Sequence, residues 1–103
     1  MEQQFFQHNP RLQIDIPHLE MDWLDYNERT QQLILHHWEK VRGMIPDKII
    51  EFEVRINLKQ DALANEEDFE KSCQLNHEIS ELASRINDLW IWYRTTPEMK
   101  KKD

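Results

Sequence analysis

An all-α fold is predicted: an antiparallel helical hairpin packed by a further long helix, a three-helix bundle, with an extended N-terminal arm. Three observations predict it. The 103 residues include one Gly and four Pro, too few turn-formers for a many-stranded sheet. Apolar residues recur every three or four positions over long stretches. Finally, the best helix-start and helix-stop residues fall between those stretches rather than within them.

The arm is residues 1–16. Pro10 opposes a helix there, and Leu12, Ile14 and Ile16 alternate with polar residues as in a strand. No partner strand is evident, so the segment is expected to lie across helices, with Phe5 and Phe6 as anchors.

Residues 17–42 read as the first helix. Pro17 suits a first-turn position. Leu19, Trp23, Tyr26, Thr30, Leu33, His37 and Val41 share one face, widened by Ile34 and Trp38. Asn27 is a good cap and marks a place where the helix could break. Gly43 stands where a helix terminus favours glycine.

Residues 46–64 are the second helix, and the most ambiguous stretch. Ile50, Phe52, Val54, Ile56 and Leu58 alternate like a strand, yet they also form two helical stripes. Pro46 at the start and the lack of turn residues favour helix. Ile49, Phe52, Ile56 and Leu63 make one stripe; Ile50, Val54 and Leu58 make the other. A helix with two apolar stripes sits between two neighbours.

The third helix spans 66–94. Asn65 is placed to cap it, with acids in its first turn. Glu67–Lys71 and Glu81–Arg85 are four-apart pairs expected on the outside. At ~1.5 Å per residue it would be ~42 Å long, against ~28 Å for the second helix. Its aromatic end, "DLWIWYR", would then overshoot the hairpin. Ile91 and Trp92 leave the main stripe, so they are covered by the arm or exposed to a partner. Residues 95–103, with Pro97 and Lys100–Lys102, read as a solvated tail.

Within "EEDFEKSCQLNHEISEL", Ser72 and Cys73 sit together where large apolar residues would be usual. Small side chains let two helix backbones approach closely, as the neck of a helical hairpin requires. Asp68-Phe69-Glu70, the small pair Ser72 and Cys73, then Leu75, Ile79 and Leu82 resemble the second helix of the UVR motif. Leu63, Ala64 and Ile56 match positions of its first helix. Asn76 and His77 depart from the usual Arg-Asp, and Gln60 and Glu67 fall where apolar residues are usual. The resemblance covers about residues 49–86. It implies an antiparallel hairpin that contacts another hairpin and performs no chemistry.

Composition narrows the functional classes. A formal net charge of −7 opposes generic nucleic-acid binding and a membrane-surface role. No apolar run approaches the ~18 residues of a membrane span, and "MEQQFFQHNP" lacks the features of a signal peptide. A single cysteine and no export signal point to the cytoplasm. Cys73 follows Lys71 among acids, an environment that does not favour a reactive thiolate. His36 and His37 point ~100° apart on a helix and do not share one metal ion easily. Asp68, Glu70 and Glu78 suit an exposed helix start better than a catalytic cleft. There is no phosphate-binding Gly loop, nucleophile-with-base pattern or zinc spacing.

The expected protein is a non-enzymatic interaction or adaptor module with no cofactor or metal. It is expected to form a homodimer, with Ile50, Val54, Leu58, Ile91 and Trp92 at the contact. The alternative is a small-molecule- or metal-responsive regulator with a pocket among Trp23, His37, Trp38 and Trp90.

Overall fold

The computed structural model describes residues 2–96. Most of them lie in two helices, α1 at Glu28–Ala64 and α2 at Phe69–Tyr93. The remainder includes two short antiparallel strands, β1 at Phe6–Asn9 and β2 at Ile14–Pro17. The chain is mostly helical, but it is neither all-α nor a three-helix bundle. The expected tail residues Pro97 and Lys100–Lys102 lie outside the described residues.

The principal correction is at residues 43–46. The helices expected over 17–42 and 46–64 are one unbroken helix of 37 residues with Pro46 inside it. Relative to Ala, a mid-helix Gly costs about 1 kcal/mol and a Pro about 3 kcal/mol. The side chains packed across the junction outweigh this. Trp38, Val41, Ile45, Ile49 and Phe52 are all buried, and their spacing of three and four runs through the Gly and Pro without a slip. Each such side chain contributes roughly 1.5–3 kcal/mol on burial. Gly43 has no positive φ and therefore forms no helix terminus.

The helix also starts later than expected. Pro17 ends β2 instead of opening a helix. Residues 18–27 run irregularly, with one 3₁₀ turn at Trp23–Asp25, up to Asn27. The Asn27 side chain caps α1 by accepting from the Thr30 N–H at 2.8 Å. Inside the helix, Ile34 and Trp38 face the core, while Leu33 is 44% exposed.

The extended arm is a β-hairpin. Phe6 pairs with Pro17, and Asn9 with Ile14. Asn9 builds the turn: its side-chain oxygen accepts from the Leu12 N–H at 3.0 Å, and its carbonyl from the Gln13 N–H at 2.7 Å. Pro10 has its own φ fixed by its ring, which suits the turn position after Asn9, and Gln13 takes the left-handed conformation, φ 62°. An isolated two-stranded hairpin is marginal in water. This one is held by burial of Phe6, Leu12 and Ile14 in the core. Arg11 reaches Asp88 and Ser84 of α2 at 2.6 and 2.8 Å, and Lys48 of α1 reaches Gln13 at 3.2 Å. The hairpin therefore bridges both helices and takes the place of the expected third one.

The core gathers Trp23, Ile34, Trp38, Val41, Ile45, Ile49 and Phe52 with Leu82 and Leu89 of α2 and the three hairpin residues. Trp38 is fully buried. It meets the Trp92 ring edge-on at 5.8 Å, and its Nε1–H donates to the Thr95 carbonyl at 2.8 Å. The aromatic end of α2 thus does not overshoot. At ~1.5 Å per residue α1 spans ~56 Å and α2 ~38 Å, so α1 is the longer member. The whole is a rod of 59 × 22 × 22 Å, with its core toward one end. Among the described residues, none from Glu53 to Glu81 is buried.

Candidate functional site

The distal half of the hairpin carries the candidate interaction residues. Ile50, Val54 and Leu58 follow one another at four-residue spacing on α1 and are 56%, 52% and 64% exposed. Each lies two residues from Phe52 or Ile56, which face α2. At ~100° per residue this turns the three to the opposite side of the helix. They form one continuous apolar row.

Ile91 and Trp92 do not join that row. Ile91 is two positions from fully buried Leu89, so it lies on the outer face of α2, 48% exposed. Trp92 is half-buried against Trp38.

At the tip, Asn65 closes α1: its N–H donates to the Ala62 carbonyl at 3.2 Å, and the Glu66 N–H donates to the Leu63 carbonyl at 3.2 Å. The residue that caps α2 is Asp68, not Asn65: its carboxylate accepts from the Lys71 N–H at 3.2 Å. Glu66 in turn accepts from the Asp68 N–H at 3.1 Å, and Glu70 stands in the first turn. Phe69 follows the cap and is 80% exposed. Ser72 is half-buried and Cys73 is exposed, so Cys73 is not a spacer between the helices. Leu75 and Ile79 are half-buried, and only at Leu82 does α2 enter the core.

One ion pair ties the distal helices together. Lys59 of α1 donates to Glu78 of α2 at 2.8 Å, and Gln74 donates to the second Glu78 oxygen, also at 2.8 Å. These two hydrogen bonds, Lys59 first, hold the Glu78 carboxyl below the usual carboxylate range. The expected outer pairs Glu67–Lys71 and Glu81–Arg85 are not formed among the described residues. Arg85 instead lies over the Phe52 ring. Sequence reasoning missed the cross-hairpin pair because its partners are far apart in the chain.

The residues of the alternative pocket are mostly structural. Trp23 and Trp38 belong to the core, and His37 packs edge-on against Phe6 at 4.3 Å. Trp90 is 42% exposed and meets Tyr93 edge-on at 5.6 Å. No cluster of three or more His, Cys, Asp or Glu suited to a metal occurs among the described residues. None of the described helices is long and apolar enough to cross a membrane. Compared with family models, curated proteins and solved structures, the chain matches none.

Proposed function

We propose that this chain is a non-enzymatic, cytoplasmic protein–protein interaction module that acts through the distal half of its helical hairpin and pairs with a second copy of itself. One observation carries the reading: from Glu53 to Glu81 no described residue is buried, although the stretch holds Val54, Ile56, Leu58, Leu63, Phe69, Leu75 and Ile79. Two helices touch along a single line, and a core needs a further layer. At the other end the β-hairpin supplies that layer. In the distal half nothing within the described chain does, and a second hairpin would.

The gain is large enough to matter. Covering each apolar side chain contributes roughly 1.5–3 kcal/mol, and in a twofold pair every contact is made twice, once from each copy. The likeness to UVR hairpins, which contact other hairpins, supports the same reading. The acidic balance of −7 favours a protein partner over nucleic acid.

Sedimentation equilibrium at micromolar concentration tests this. The expected species is twice the 12.7 kDa chain mass. The double variant Val54→Lys, Leu58→Glu should sediment as a monomer while keeping its helical circular dichroism, since both positions face away from the core. A wild-type chain that stays monomeric throughout the range would refute self-pairing.

A further inference from the structure

We propose that the open groove between the helices is a binding site for a phosphate-class oxyanion, held by Arg55 and Arg85. On the hairpin-tip side of Phe52, α1 and α2 leave a cleft of ≈ 280 Å³ bordered by Arg55, Lys59, His77, Glu78, Glu81 and Arg85. A smaller recess shares His77 and Glu81 with it and extends to Arg11 in the β-hairpin turn. In a chain of net charge −7 this is a local reversal: three fixed positive charges face two negative ones.

The charges are not equivalent. Lys59 and Glu78 satisfy each other, with Gln74 on the remaining carboxylate oxygen. Arg55 and Arg85 have no hydrogen bond or ion pair among the described residues. Both guanidiniums lie instead over the Phe52 ring, 5.6 and 5.8 Å from its centroid. Phe52 is itself buried, so the ring is a fixed platform. The Arg85 Nε is buried and has no acceptor. That nitrogen is closed off from the cleft, so an oxyanion there would be met by the outer N–H groups of the Arg55 and Arg85 guanidiniums, which line the cleft and have no acceptor among the described residues.

Chemistry and size select the ligand. A guanidinium presents a planar fork of N–H donors that matches phosphate and carboxylate oxygens. Two unpaired guanidiniums match the double charge of phosphate better than the single charge of a carboxylate. Stacking on one ring positions both before binding, so little side-chain freedom is lost. Pockets for drug-sized ligands span roughly 300–1,000 Å³. A cleft of ≈ 280 Å³ suits inorganic phosphate or a small phosphate monoester rather than a nucleotide. The site stands whether or not the chain pairs, because its lining comes from one copy.

Isothermal titration calorimetry of the full chain tests it, with inorganic phosphate, glycerol 3-phosphate and acetate as titrants at matched ionic strength in chloride. Saturable binding of phosphate or its ester, tighter than acetate, is expected. Tighter binding of the ester assigns the site to a phosphorylated small molecule; tighter binding of phosphate assigns it to the free anion. Arg55→Gln and Arg85→Gln should each weaken binding roughly tenfold or more, as loss of a charge-assisted hydrogen bond implies. Lys48→Gln, outside the cleft, should bind like the wild type. Arg55 is exposed, so its variant tests the site even if Arg85→Gln does not fold. The proposal is overturned if neither phosphate titrant binds saturably, if acetate binds as tightly, or if Arg55→Gln binds like the wild type.

Discussion

Gly43 shows how a single residue misleads. A glycine followed three positions later by proline reads as the end of one helix and the start of another. Here both lie inside α1, Gly43 in helical conformation with nothing within 4 Å of where a Cβ would stand. The glycine therefore serves neither a turn nor a close approach. It only leaves the unfolded chain more freedom to lose on folding. Gly43→Ala is expected to stabilise the protein by about 0.5–1 kcal/mol. A urea titration should show a higher midpoint at unchanged slope. A lower midpoint would mean that the backbone at this position is not the helix described. Asn27 was half legible: as a good cap it marked a place where the helix could break, but the helix was expected to begin at Pro17, and α1 begins only after Asn27. Asp68 was harder, since Asn65, Glu66, Glu67 and Asp68 stand in a row and any of the four satisfies a helix start.

Between elements, the legible signals were those within one element, and the illegible ones joined two. The alternation of Leu12, Ile14 and Ile16 marked β2, but β1 presents one inward apolar residue, Phe6, and so carries no alternation of its own. The Asn9-Pro10 pair was the available turn signal, and the scarcity of glycine hid it, because Gln13 took the left-handed position instead. The helix pairing behind Lys59–Glu78 is likewise invisible locally. That pair has a definite pH signature. The folded Glu78 carboxyl titrates below its ordinary value of 4.5. Its contribution to stability is thus complete above the unfolded value and is lost as pH falls through the lower folded one. Both side chains are about one-third exposed, so solvent screening keeps the effect modest. Glu78→Gln should be less stable than the wild type at about pH 7, and the difference should shrink towards about pH 3. Denaturant titrations of both proteins across that range make the comparison. A constant or widening difference would show that Glu78 contributes through something other than its charge.

At the scale of the whole molecule, the mistaken helix break also produced the mistaken shape. Once α1 is continuous it outruns α2. The N-terminal β-hairpin then covers one end of the rod, and among the described residues the other end has the two helices alone. The radius of gyration, 17.7 Å, exceeds the ~13 Å of a compact chain of this length. Stability should be just as uneven, since segments with few buried contacts open locally at lower free energy than the core. Native-state hydrogen exchange should therefore find slow amides at Ile34–Phe52 and at Leu82–Leu89, and faster ones between Val54 and Ser80. The proposed pairing would add a concentration dependence, because association stabilises only what it covers. Raising the protein concentration tenfold should slow exchange in the distal stretch and leave the slow amides near Trp38 almost unchanged. If the distal amides are as protected as those of the core even in the most dilute sample, the two helices are stable there unaided and the bare distal half needs no partner. If they are fast at every concentration, no second copy covers the distal half and the proposed self-pairing fails.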